Sequence, residues 1–182
     1  MLVAITGASG VYLAIKLLKM LNEKEVEIEL VISRNAEKII NLETDYKISD
    51  IRKLAYKNYD VDDLLAPPAS GSYKLDTMIV IPCSMKSLSA IANGYANNLI
   101  TRAADVFIKE KRKLILVVRE TPFSALHLEN MLKLAKLGVI IFPPIPSYYI
   151  KPKDIDELID FTIGRILDQI GIESDIKRWG NI

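Results

Sequence analysis

Short apolar runs alternate along this chain with stretches in which apolar residues recur every three or four positions. Residues 2–6 form a run of the first kind, which stops at Gly7-Ala8-Ser9-Gly10. Over residues 11–21, Leu13, Leu17, Leu18 and Leu21 then recur at helical spacing. Residues 27–32 alternate and end at Ser33, which predicts a second strand. Residues 36–42 predict a helix with Ile39 and Ile40 turned inward. From 44 to 73 no period is clear, and Pro67-Pro68-Ala69-Ser70-Gly71 reads as a loop. Residues 77–81 predict a strand broken by Pro82. Helical spacing resumes at 88–91 and again over 98–110. Residues 113–118 predict a strand, 124–137 a helix stopped by Gly138, and 139–142 a strand ended by Pro143-Pro144. The last long helix is expected over 155–170, stopped by Gly171 and followed by a polar tail carrying Trp179.

Near-continuous apolar strands alternating with helices predict a mostly parallel sheet buried on both faces, in a doubly wound three-layer α/β fold with right-handed crossovers. No repeat or linker divides the chain, so residues 1–182 are expected to form one domain, with the helix and tail from about 152 adding to the site and to contacts between subunits. Composition narrows the function. Lys and Arg total 24 against 23 Asp and Glu, a net charge of +1, which argues against a nucleic-acid binder driven by bulk charge. The single cysteine, Cys83, excludes an internal disulfide, and the single histidine, His127, excludes zinc sites built from several His or Cys ligands. No segment approaches about 18 uninterrupted apolar residues, and the start lacks a basic, then long apolar, signal pattern. The expected location is therefore the cytoplasm, with no membrane partner.

In such a fold, ligands bind beyond the carboxyl ends of the strands. Those ends are Gly7-Ala8-Ser9-Gly10, Ser33-Arg34-Asn35, Pro82-Cys83-Ser84-Met85-Lys86-Ser87, Arg119-Glu120-Thr121-Pro122 and residues 143–149. They are polar and charged where the strands feeding them are apolar. The first loop follows a strand and opens a helix, where small residues and free N–H groups favour a phosphate. It is neither a dinucleotide fingerprint nor a Walker loop, because Tyr12 stands in place of the required glycine and no Gly-Lys-Ser/Thr occurs. The alternative is an ordinary tight turn. Ser84 to Ser87 offer hydroxyls and a cation that suit a mononucleotide such as FMN, or simply cap a helix. Arg102, Asp105 and Lys109 share one helical face, which could equally be solvated. Arg119-Glu120 ends a strand, where a buried pair must be satisfied or used. Arg165 stands amid Ile163, Gly164, Ile166 and Leu167, either snorkelling or reaching into a site. His127 lies within a helix and fits a structural hydrogen bond better than catalysis. Cys83 has no nearby base and is a poor candidate nucleophile.

The same segments, with Ala92-Asn93-Gly94, Leu99-Ile100-Thr101-Arg102-Ala103-Ala104-Asp105-Val106, His127-Leu128-Glu129-Asn130-Met131 and the Tyr148-Tyr149 of residues 143–152, resemble the UbiX-type flavin prenyltransferases, formerly described as aromatic-acid decarboxylases. The resemblance runs from about residue 2 to Trp179 in order. It implies a Rossmann-like, flavodoxin-like fold. It also implies transfer of the dimethylallyl group of dimethylallyl monophosphate to N5 and C6 of reduced FMN, with release of phosphate and no metal. The product, prenylated FMN, would serve a UbiD-type decarboxylase. By the same resemblance FMN would be held by Gly7, Ala8, Ser9, Ser33, Ser84, Met85, Lys86, Ser87 and Arg119. The donor phosphate would be held by Arg102, Lys109, Arg119, Tyr149 and Arg165. Catalytic roles would fall to Ser9, Glu43 and Glu120, and the expected assembly is a homododecamer with sites at subunit interfaces, to which Arg102 and Lys109 would come from a neighbour.

Departures are small: Ala14 where many members carry Gly, and Ser124 and Ile150 where His is common. Two rival readings share the flavin fold. An FMN-dependent cysteine-type decarboxylase would need an early catalytic histidine and a Pro-x-Met-Asn segment, and this chain has neither. A non-catalytic FMN-binding partner of a decarboxylase would not need the second phosphate site.

Overall fold

A computed structural model describes residues 1–180. They form two compact units, residues 1–143 and the segment from Pro144 onward. The first unit is built on six strands: β1 (Leu2–Ile5), β2 (Glu29–Ile32), β3 (Lys57–Tyr59), β4 (Thr77–Cys83), β5 (Lys113–Val118) and β6 (Ile140–Ile141). All neighbours pair in parallel, in the order β3-β2-β1-β4-β5-β6. Between them run α1 (Val11–Glu23), α2 (Arg34–Glu43), the short α3 (Ile48–Arg52), α4 (Met85–Ala92), α5 (Leu99–Lys109) and α6 (Ala125–Lys136). This is the doubly wound architecture that the sequence predicts.

Alternation along the strands explains the layers. Leu2, Ala4, Met78, Val80, Leu114 and Leu116 share one core with Leu88 and Ile91 of α4, Leu99, Ala103 and Phe107 of α5, and Leu134 of α6. Val3, Ile5, Ile79 and Ile81 point the other way and are equally buried, as are Val11, Ala14, Ile15, Leu18 and Leu21 of α1. With both faces covered, the strands carry no polar alternation.

Several boundaries differ from the sequence reading. Pro82 does not break its strand: β4 continues through the cis Ile81–Pro82 bond to Cys83, which pairs with Val118 after a register shift. The aperiodic region conceals α3 and the edge strand β3. The helix read from Leu88 begins at Met85, and the strand read over 139–142 contracts to Ile140–Ile141. Gly138 stands at φ +86° just past α6, as a helix stop requires.

The second unit holds a short turn, Tyr148–Ile150, and α7 (Ile155–Gln169), capped by Asp154, which accepts from the Glu157 N–H at 2.8 Å. Its tail lies along α7: Arg178 grips both carboxylate oxygens of Asp168 at 2.9 and 3.0 Å, and Lys177 reaches Glu157 at 2.7 Å. Gly164 makes room for this, since a Cβ there would lie 2.3 Å from Ile176.

Candidate functional site

The strand order reverses direction between β1 and β4, and at this switch point a crevice opens beyond the carboxyl ends. Thr6, buried at the end of β1, closes its floor. Its Oγ1 donates to the Pro82 carbonyl at 2.7 Å and accepts the Ser84 N–H at 2.8 Å. The loops after β1 and β4 are thereby locked together.

The crevice has a volume of about 350 Å³, within the usual range for a cofactor-sized ligand. Thr6 and Gly7, then Ser33, Arg34 and Asn35, then Ser84, Lys86 and Ser87, then Asn97, Asn98 and Thr101 line it, with Val61 and Asp62 at one side. Three helices begin here. Ser33 caps α2 by accepting from the Ala36 N–H at 3.1 Å, and Ser84 caps α4 by accepting from the Ser87 N–H at 3.3 Å. Asn98 caps α5 in a reciprocal box with Thr101. Serine and asparagine stand at these positions because their side chains satisfy N–H groups that the first turn cannot. The convergence leaves three partial positive charges and the Lys86 ammonium facing one space. Arg34 is tied to Asp62 through both Nε, at 2.9 Å, and Nη2. Gly7 has no room for a side chain: a Cβ there would lie 2.5 Å from Asn35 Cβ. Hydroxyls, amide groups and a cation around a glycine-lined crevice suit a phosphate monoester joined to a polar chain, which is the tail of FMN.

Of the residues expected to bind flavin, Gly7, Ser33, Ser84, Lys86 and Ser87 therefore come together. Ala8 and Ser9 follow Gly7 in the same loop, where the Ala8 N–H donates to the Thr6 carbonyl at 2.9 Å. Met85 is half-buried and packs against the core beneath. Glu43, the last residue of α2, reaches this loop too: its Oε2 accepts the Gly10 N–H at 2.8 Å. Gly10 sits at φ +96°, a backbone state that glycine adopts freely, and has no side chain with which to cap α1. The Glu43 carboxylate instead anchors the turn before α1 from outside, at the N–H of Gly10 itself.

Arg119 and Glu120 correct an expectation. Both are exposed rather than buried, because β5 ends at Val118 and the chain leaves the sheet there. The Arg119 N–H still donates to the Cys83 carbonyl at 3.2 Å, holding this segment beside the end of β4. Glu120 accepts the N–H of Thr121 at 3.0 Å. Lys109 ends α5, eleven residues beyond the cap at Asn98 and so about 16 Å along the axis. A single chain does not bring it to the crevice. Arg102 pairs with Asp105 at 2.8 Å, and Lys109 pairs with Glu110. In the second unit, Tyr149 lies edge-on to Phe161 and Trp179, with ring centroids 5.7 and 5.1 Å away. Arg165 is exposed on α7, 3.7 Å from Asp168.

The two deflated residues stand as the sequence reading placed them. Burial pushes the Cys83 thiol up to about 12, so no thiolate forms near neutrality. His127 sits at the third position of α6, where its Nδ1 accepts the Ser124 N–H at 3.2 Å and Ser124 accepts in return. Among the described residues, no three His, Cys, Asp or Glu side chains gather as metal ligands, and no helix is long and apolar enough to cross a membrane. Asn35 lines the crevice from the strand end where the sequence placed it, whereas Thr6, Asn98 and Thr101 are lining residues that the sequence reading did not assign to the site.

Comparison with known proteins adds a family to this geometry. Residues 1–167 match the family model described as Flavoprotein. The flavin prenyltransferase UbiX of Methanocaldococcus jannaschii is 53% identical over 182 residues, covering 100% of this chain and 98% of that protein. The crystal structure of AnUbiX in complex with FMN and dimethylallyl pyrophosphate superposes with a TM-score of 0.96 at 49% identity, covering 98% of this chain and 95% of that one. A dodecameric FMN-dependent UbiX-like decarboxylase from Escherichia coli also gives 0.96, at 47% identity, covering 98% and 97%.

Proposed function

The chain belongs to the UbiX-type flavin prenyltransferases, and we propose that it joins the dimethylallyl group of dimethylallyl monophosphate to N5 and C6 of reduced FMN, releasing phosphate. The observation that carries the FMN half of this reading is the crevice in which three capped helix N-termini, Lys86 and the Ser84 and Ser87 hydroxyls meet. Reduced FMN, when bound, supplies the electron-rich ring atoms that accept the prenyl group.

The residues of this chain then divide the work. Gly7, Ala8, Ser9, Ser33, Ser84, Met85, Lys86, Ser87 and Arg119 hold FMN. Glu43 fixes the Ser9–Gly10 turn through the Gly10 N–H, so that Ser9 keeps its hydroxyl where a proton must be held. Glu120, exposed and two residues past β5, hands over the proton that the second bond requires. Departure of an allylic monophosphate leaves concentrated negative charge, which fixed cations and hydroxyls stabilise at the moment it develops. Arg102, Lys109, Arg119, Tyr149 and Arg165 are of the types to do this without a metal. Lys109 lies at the far end of α5 from the crevice of its own chain. That separation supports an assembly in which a neighbouring copy supplies it, and the Escherichia coli relative is dodecameric. A cytoplasmic homododecamer passing its product to a UbiD-type decarboxylase completes the reading.

A second donor has one observation in its favour, since the AnUbiX complex contains dimethylallyl pyrophosphate. The test is to supply each donor anaerobically with reduced FMN and assay the released anion. Turnover with the monophosphate and release of inorganic phosphate is expected. Turnover with the diphosphate alone would overturn the monophosphate assignment.

A further inference from the structure

At the end of α5, two neighbouring side chains meet that an α-helix would hold apart. Successive residues on a helix do not face each other, yet Lys109 and Glu110 form an ion pair. They do so because Glu110 is already the capping residue and both side chains bend over the loop at Gly71. A Cβ on Gly71 would lie 2.5 Å from Glu110 Oε1 and 2.7 Å from Lys109 Nζ. A side chain at Gly71 would push the ends of both flexible side chains aside.

The loop beneath cannot drift away. Arg102 Nε donates to the Ala69 carbonyl at 3.1 Å. Arg112 donates through Nη2 to the Gly71 carbonyl at 2.5 Å and through Nη1 to the Tyr73 carbonyl at 2.8 Å. Carbonyls of three alternate residues are thus clipped by guanidinium groups, and the Lys109 ammonium is held between this fixed backbone and the Glu110 carboxylate. Lys109 in turn holds that carboxyl below the usual carboxylate range.

We infer that Glu110 is a positioning residue which occupies the Lys109 ammonium in place of the donor phosphate and, by competing for it, sets the affinity for the allyl phosphate and the ease with which product phosphate leaves. Gly71 leaves the two side-chain ends free to meet over the loop. The inference rests on the reading of Lys109 as a phosphate ligand. A carboxylate that must be displaced weakens phosphate binding, and it spares the empty enzyme an unpaired cation.

The test compares Glu110→Gln, Gly71→Ala and Lys109→Met in the FMN-loaded enzyme, measuring KM for dimethylallyl monophosphate, kcat, and inhibition by inorganic phosphate. Glu110→Gln is expected to lower both the KM and the phosphate inhibition constant by about two- to five-fold, as a partly exposed ion pair allows. FMN affinity should be unchanged, and Glu110→Asp should return both constants toward the original. Gly71→Ala, which crowds both ends of the pair, should move the KM in the same direction as Glu110→Gln, by less. If that variant fails to fold, Glu110→Gln decides alone. A rise in KM for Lys109→Met with no fall in either constant for Glu110→Gln would overturn the inference and leave Lys109 as a ligand. No change in Lys109→Met would overturn the ligand assignment, and the inference with it.

Discussion

Ser84 donates its backbone N–H to Thr6 Oγ1 at 2.8 Å, so the loops on either side of the sheet's switch point are one rigid piece. The same hydroxyl donates onward to Pro82. Thr6→Val keeps the shape and removes both bonds, leaving the Ser84 N–H without its partner. The expected loss is about 1–3 kcal/mol of stability by denaturant unfolding, with weaker FMN binding. Thr6→Ser should retain both properties. A Thr6→Val protein as stable as the original would remove Thr6 from the framework.

Gly7→Ala tests the crevice wall by sterics alone, since Gly7 is not among the residues at positive φ. The added methyl would lie 2.5 Å from Asn35 Cβ and should push the loop from the start of α2. FMN affinity, read by flavin fluorescence quenching, is expected to fall by about tenfold or more, equivalent to about 1.4 kcal/mol. Asn35→Gly in the same chain should recover part of the loss.

How much of this was legible depended on whether a pattern was local. Residues 114–118 are an apolar run that follows Lys113 and precedes Arg119, and β5 spans Lys113–Val118 as expected. Gly171 stands at φ +75° beyond α7, as its position in the sequence predicted. The strand β3 has three residues, two of them exposed, so it carries no apolar signal and forms only because β2 offers an edge. The start of α4 was hidden because Met85-Lys86-Ser87 has no helical period. Ser33 and Ser84 could be found as polar residues at strand ends, and Gly7 as the small residue that follows β1. Asn98 and Thr101 could not, since they reach the crevice from the start of a helix that follows another helix. The Asn98-x-x-Thr101 capping pattern marked that start without saying where it would point. The exposure of Arg119 and Glu120 depends on where the chain runs after β5 ends, which the sequence pattern does not reveal.

Glu43 separates a structural from a catalytic role. Glu43→Ala removes the acceptor for the Gly10 N–H and should cost up to about 1 kcal/mol at the start of α1, while Glu43→Gln should cost less. If Ser9 depends on this turn, prenylation should fall in both variants by more than the thermal shift explains. Full activity in Glu43→Ala would leave it an anchor of the turn only.

The buried thiol gives a pH signature. Cys83 keeps its proton to about 12 when folded, whereas the unfolded thiol titrates near its ordinary value of 9.0. Between those values the unfolded chain binds fewer protons than the folded one. The contribution of this group is therefore complete below about pH 8.5 and declines by roughly 1.4 kcal/mol per pH unit above it. Urea unfolding from pH 8 to 11 should show the decline, and Cys83→Ala should flatten it. At pH 8 the native thiol should resist a thiol reagent that labels it at once in denaturant.

The central claim is that this chain moves a prenyl group onto flavin. The most direct test is anaerobic incubation of the purified protein with reduced FMN and dimethylallyl monophosphate, followed by mass spectrometry of the extracted flavin. A flavin heavier by one five-carbon prenyl unit is the expected result, with Glu120→Gln accumulating the singly attached form. Flavin recovered unmodified, although shown to be bound and fully reduced with the donor present, would contradict it.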